Sequence, residues 1–320
     1  MKSPIPHLFV CVLFAALPVP ASAGPIAVET RPVPLVADAP SIKSVGKLRY
    51  QGGLVLRSKD NHFGGFSSLG ISADGERMVS ISDKGRRLAA DLLYDDKGWL
   101  SGIANPALDT LSDPDGQALI GKRFSDAESM SPGVDGEIIV AFERNHRLWS
   151  YRPDKIRPHP LQPPSELARM PSNGGIEALT LLNDGSLLAI SEGPKNASDA
   201  VAWVSDTQGW SVMTYATNGG FRATGAATLA DGDVLVLERR YTLRDGVAAR
   251  LRRLDAKTIT PGARLQTELI AEFRPPLTVD NFEGIETRRD AKGRTLVYIV
   301  SDDNFNPLQQ TLLLMFELME

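Results

Sequence analysis

Gly175-Ile176-Glu177-Ala178-Leu179-Thr180-Leu181-Leu182-Asn183-Asp184-Gly185-Ser186-Leu187-Leu188-Ala189-Ile190-Ser191-Glu192 spells out one complete structural unit of this chain. It is a short apolar strand, an Asp-Gly turn, and a second strand whose apolar residues run without a break into an acid. Asp-Gly supplies the positive φ angles of a tight hairpin. An unbroken apolar run suits a strand buried on both faces. The unit recurs on both sides. It appears as Phe66-Ser67-Ser68-Leu69 with Asp74-Gly75 and Met78 to Asp83, and as Ala127-Glu128-Ser129-Met130 with Asp135-Gly136 and Ile138 to Glu143. It returns as Thr224-Gly225-Ala226-Ala227 with Asp231-Gly232 and Val234 to Glu238, and as Phe282-Glu283-Gly284-Ile285 with Lys292-Gly293 and Leu296 to Asp302.

The turn glycines 75, 136, 185, 232 and 293 lie 61, 49, 47 and 61 residues apart. Each interval has room for one four-stranded propeller blade and is too short for two. After each hairpin comes a more alternating segment, such as Arg147 to Tyr151 or Ala248 to Leu254, and then a weaker strand such as Trp210 to Tyr215. The expected fold is therefore an all-β propeller of four-stranded blades. Five blades are favoured; a sixth would have to come from a longer interval, above all Ala104 to Phe124, which is poor in strand formers. Leu312 to Leu318 lacks an outer partner and Lys47 to Leu56 lacks any partner, so pairing them would close the ring and remove open sheet edges. No window supports a long helix, and Ser165 to Met170 is at most a helical turn.

Aligning the five units reveals a second regularity. The second position of the first strand holds Ser67, Glu128, Glu177, Gly225 and Glu283, and the end of the second strand holds Asp83, Glu143, Glu192, Glu238 and Asp302. Hairpin geometry brings both positions to one end of each blade, so eight carboxylates are expected around one mouth of the channel, with space opened at Ser67 and Gly225. Like charges this close require counterions. Lys84, Arg144, Arg222 and Arg239 are the expected cations and the candidate holders of an anionic substrate group. Glu128, Glu177 and Glu283 are the candidate catalytic residues and, with Asp83 and Asp302, the candidate metal ligands. Oxygen donors of this kind suit Ca²⁺ better than zinc.

Residues 1–23 read as an export signal: Lys2, an apolar run from Leu8 to Leu17, and the small-residue cleavage site Ala21-Ser22-Ala23. The apolar run is too short to span a membrane. The expectation is a periplasmic or secreted monomer with an extended lead-in at 24–44, a single domain over 45–320, and no transmembrane span after cleavage. Cys11 is the only cysteine, so the exported chain has neither disulfides nor a thiol nucleophile. A formal net charge of −4 gives no basic footprint for nucleic acid. The sequence also lacks a Gly-x-Ser-x-Gly elbow, a His-Glu-x-x-His pair and a phosphate-binding loop.

Five stretches, taken in order, resemble the phytase-like family, whose bacterial members are described by an esterase-like activity of phytase. They are Phe63-Gly64-Gly65-Phe66-Ser67-Ser68-Leu69, Asp126-Ala127-Glu128-Ser129, Gly175-Ile176-Glu177-Ala178-Leu179, Asp280-Asn281-Phe282-Glu283-Gly284-Ile285 and Ser301-Asp302-Asp303-Asn304-Phe305. The resemblance runs over roughly 45–318. It implies an exported propeller that hydrolyses phosphate or carboxylic esters with Ca²⁺, acting on a small anionic or ester substrate. Two other readings of the same residues stand beside it: a non-catalytic propeller that binds a ligand or protein partner, and a lactonase-like calcium propeller.

Overall fold

The computed structural model describes residues 24–153, 155, 157–193 and 199–319. The expected leader with Cys11 lies outside the described residues.

Five separate sheets surround a central channel. From the channel outward, blade 1 runs Gly70–Ile71, Arg77–Ile81, Arg86–Tyr94 and Leu100–Thr110, with Gly24–Pro25 on its rim. Blade 2 runs Ala127–Pro132, Ile138–Phe142, Arg147–Tyr151 and His159–Leu161. Blade 3 runs Ile176–Leu181, Leu187–Ser191, Asp199–Asp206 and Gly209–Ala216, and the short parallel strand Arg264–Leu265 covers its edge. Blade 4 runs Arg222–Thr228, Val234–Thr242, Gly246–Leu254 and Thr267–Phe273. Blade 5 runs Asn281–Arg289, Thr295–Asp302, Thr311–Leu318, Leu48–Arg57 and Glu29–Pro32.

The count of five follows the five repeats. Ala104 to Phe124 supplies no sixth blade. Its first residues complete the outer strand of blade 1, and Lys122–Ser125 forms a single helical turn. The expected closure forms: Thr311–Leu318 pairs antiparallel with Leu48–Arg57, from Thr311 opposite Leu56 to Leu318 opposite Leu48. The lead-in goes further and adds its own short strands to the rims of blades 1 and 5.

Five blades make five seams, and the apolar core divides accordingly into five clusters. Ile81, Met130 and Val140 fill the seam of blades 1 and 2, and Ile139, Leu179 and Trp203 that of blades 2 and 3. Leu188, Tyr215 and Val236 fill the next. Between blades 4 and 5, Phe273 meets both Phe282 and Phe316 edge to face, at ring distances of 5.5 and 5.6 Å. Leu54, Phe66, Leu88 and Tyr298 close the ring between blades 5 and 1. Each second strand serves two seams, which is why Ile138–Phe142 and Leu187–Ser191 are buried at every position. Burying one such Leu or Ile contributes about 1.5–3 kcal/mol, and these seams hold a chain without disulfides together.

The inner hairpins differ from the expected Asp-Gly geometry in four blades. There the glycine alone is left-handed, as at Gly185 (φ +86°), and its N–H donates three residues back to Leu182 at 2.9 Å. Only in blade 2 do both turn residues, Asp135 (φ +55°) and Gly136 (φ +77°), take positive φ. All five hairpins point to one end of the channel, so both ends that carry the acids share the other.

Candidate functional site

The inner strands of blades 2, 3, 4 and 5 each carry a β-bulge near their start. In blade 2, Ala127 pairs with Phe142 and Ser129 with Ala141, leaving Glu128 without a partner. Glu177 in blade 3 and Glu283 in blade 5 are skipped in the same way. A bulge re-aims the extra side chain out of the alternation of the strand. Here it turns three glutamates toward the channel mouth.

Blade 4 departs from the expected alignment by one residue. Ala223 pairs with Glu238 and Gly225 with Leu237, so the bulged residue is Thr224 rather than Gly225, and the position of the terminal acid falls to Arg239 rather than Glu238. A one-residue slip moves a side chain to the opposite face of the sheet. Glu238 is accordingly fully buried inside the blade, where it accepts hydrogen bonds from Tyr215 Oη at 2.9 Å and from Arg250 Nε at 2.9 Å. Nor does Gly225 open space. A Cβ there would lie 2.6 Å from the Glu283 carbonyl oxygen, so this glycine permits close approach of neighbouring inner strands. The signal for the true register was Ala223, the small apolar residue that precedes the bulge as Ala127, Ile176 and Phe282 do.

Seven of the eight expected carboxylates do converge. Asp83, Glu128, Glu143, Glu177, Glu192, Glu283 and Asp302 line one basin of about 260 Å³, together with Lys122, Asn173, Arg239, Asn281 and Asn304. An eighth acid, Asp126, stands immediately behind, with its side chain fully buried. Arg144 Nε holds its Oδ2 at 2.5 Å, and Lys122 Nζ lies 3.2 Å from its Oδ1 and 3.1 Å from Asp83. Sequence reasoning passed over Asp126 and Lys122. Asp126 sits two residues before a bulge, where the other units have Gly65, Gly175, Arg222 and Asn281, and Lys122 belongs to the irregular segment between blades.

Of the four candidate cations, three are tied to basin acids. Arg144 pairs with Asp126, Arg222 with Glu192, and Arg239 Nη2 with Glu283 at 3.1 Å. Lys84 instead lies over the ring of Phe305. Gly175 N–H donates to Glu143 at 2.6 Å, and Asn304 N–H donates to Asp302 at 2.6 Å.

Eight carboxylates thus face four paired cations, and the excess shows in proton affinity. Burial pushes Glu128 well above the usual carboxylate range, and the charges of Asp126 and Glu143 push it further. Glu177 is raised well above that range by burial and then by Glu128, Glu143 and Glu283. Burial raises Glu143 against the Gly175 N–H, and raises Glu283 against the pull of Arg239. Asp302 is pushed up to about 8 by burial and by Glu283. Neighbouring buried carboxylates cannot all ionise without a counterion.

The donor set fits a hard divalent cation. One oxygen each from Asp126, Glu128 and Glu143 lie within 4.8 Å of one another. Two ligands on one Ca²⁺, each bonded at about 2.3–2.6 Å, span about this distance at most. Glu128 is shared with the expected ligand set. Glu177, Glu283, Asp83 and Asp302 line the same basin outside this triad.

No curated protein matches the chain in sequence. Among solved structures, a candidate gluconolactonase is 12% identical, with 95% of this chain and 96% of that chain covered and a TM-score of 0.44. The luciferin-regenerating enzyme is 9% identical, covering 79% of this chain and 92% of that one, with a TM-score of 0.42. A Bacteroides thetaiotaomicron VPI-5482 protein of unknown function is 11% identical, covering 86% and 68%, with a TM-score of 0.45. Likeness at this level carries no argument about activity. A family model matches residues 61–305, a span that takes in all five inner hairpins and every acid of the basin, and by that match the chain belongs to the phytase-like family, described as esterase-like activity of phytase.

Proposed function

We propose that this protein is an exported hydrolase of phosphate or carboxylic esters, working at the acidic basin with a bound Ca²⁺. The observation that carries the reading is the convergence of carboxylates from four blades on one small basin, with proton affinities raised at Glu128, Glu143, Glu177, Glu283 and Asp302. Uncompensated buried carboxylates are destabilising, and a purely structural role would not require so many at one point. Asp126, Glu128 and Glu143 would hold the ion, which would polarise the ester oxygen and make a water more acidic.

The remaining residues divide the work by position. Glu177 and Glu192 line both the basin and an adjoining cavity of about 550 Å³, whose walls include Arg222, Arg239 and Arg240. Glu177 takes a proton from water as it adds to the acyl carbon or phosphorus, and returns it to the departing alkoxide. Arg222 and Arg239 balance the negative charge that develops on the substrate.

Hydrolysis of 4-nitrophenyl acetate and 4-nitrophenyl phosphate, measured with added Ca²⁺ and again in chelator, tests the reading. The expected result is turnover of at least one ester with Ca²⁺, reduced at least 100-fold in chelator and equally in Glu128→Gln. Turnover that is indifferent to both contradicts it.

A further inference from the structure

We infer that the substrate is an ester with an apolar body, and that this body lies in a cavity between blades 4 and 5; the inference rests on the hydrolase reading above for what reacts, and on the cavity itself for what binds. A cavity of about 690 Å³ adjoins the basin on this side and shares Arg239, Asn281 and Asn304 with it. A group held over the basin therefore has a direct path into the cavity.

The walls decide the chemistry. Tyr241, Val247, Val279 and Leu308 give the cavity an apolar side. Leu308 is 90% exposed and Tyr241 63% exposed. Large apolar side chains gathered at the rim of a concave site mark a ligand-binding surface. The polar side consists mainly of neutral amides, Asn281, Asn304, Asn306 and Gln309, which bond hydroxyl or carbonyl groups and leave an anion unneutralised. The single cation on the wall, Arg239, is already paired with Glu283, and the wall carries a carboxylate of its own, Asp280. A polyphosphorylated polyol would find one engaged arginine and a like charge here. An alkyl or aryl ester would find apolar contact and amide hydrogen bonds.

The test is a series of 4-nitrophenyl esters from acetate through butyrate and hexanoate to octanoate, set against a polyphosphorylated cyclitol. The wild type should gain about fourfold in kcat/KM for each added methylene, the equivalent of burying one CH₂ group. Leu308→Ser and Tyr241→Ser, both at exposed positions where folding is not at risk, should flatten that gain while leaving acetate turnover within twofold. A flat wild-type series, or preference for the cyclitol, overturns the inference even if the protein is a Ca²⁺-dependent hydrolase. If no ester is turned over, calorimetry with octanamide decides separately. Binding weakened at least fivefold in both variants upholds the cavity and removes the hydrolase reading, and no binding to the wild type overturns the inference.

Discussion

Blades 4 and 5 are built from the same unit and turn the same positions of it to the channel mouth, yet they fill those positions with different residues. In blade 5 the bulged residue is Glu283 and the second strand ends in Asp302, so two acids enter the basin. In blade 4 the corresponding positions are Thr224 and Arg239, and the acid Glu238 turns inward to Arg250. The difference is that the acid of blade 4 stands one residue earlier along its strand, at the position that Ser301 holds in blade 5. It shows that an acid at the end of a strand has two separate uses, decided by which face it meets. Facing the channel it joins a basin with excess negative charge, and facing the seam it becomes half of a fully enclosed ion pair. It also makes the mouth lopsided: blade 4 supplies the cation Arg239 where the other four blades supply acids, and it borders both larger cavities.

The comparison is broken most forcefully at Glu238. Glu238→Gln leaves Arg250 buried beside a neutral partner and should lower unfolding free energy by about 3–5 kcal/mol in denaturant titration. Glu192→Gln, on the open face, should change it by less than about 1 kcal/mol. If the two cost the same, the register assigned to blade 4 is wrong. Next in size is Gly225→Ala. Its new methyl would press on the Glu283 carbonyl, and overpacking of this kind costs about 1–3 kcal/mol. Were Gly225 the open position that the simple alignment suggests, alanine would be tolerated.

How much of this was legible depends on what each residue's neighbours allowed. Ring closure could be read because Leu312 to Leu318 is too apolar to remain an edge, and only Lys47 to Leu56 was free to cover it. Glu128, Glu177 and Glu283 could be read because a large apolar residue or alanine precedes each glutamate and fixes its place in the unit. Blade 4 misled because Ala223, Thr224, Gly225, Ala226 and Ala227 are all small, so apolar patterning fits either register. Asp126 and Lys122 were invisible for a different reason. Neither repeats, and only the folded ring brings the helical turn at Lys122–Ser125 against Asp83 and Asp126.

A smaller effect sharpens the contrast between the mouth and the interior of the channel. Glu286 follows Glu283 along the same inner strand, and burial pushes it up to about 8, against only the Thr287 N–H. A carboxylate raised in the folded state favours folding at pH values below its unfolded pKa near 4, and that contribution is lost as the pH rises through 8. Glu286→Gln should therefore match the wild type at pH 4 and exceed it by about 1 kcal/mol at pH 9, a value reduced from the full linkage by channel water. Asp302, also raised to about 8, should show the same slope in chelator. Added Ca²⁺ should weaken the slope from the mouth and leave that of Glu286 unchanged.

The central claim is that the acids at the mouth form a cation site rather than a proton reservoir. Calorimetric titration of chelator-stripped protein with Ca²⁺ at pH 7, with proton release followed in two buffers of different ionisation enthalpy, tests it most directly. The account predicts saturable binding of one ion with release of protons, lost in Asp126→Asn and Glu128→Gln and retained in Glu238→Gln under conditions where that variant remains folded. Absence of binding to the wild type, or binding undiminished in both basin variants, would contradict it.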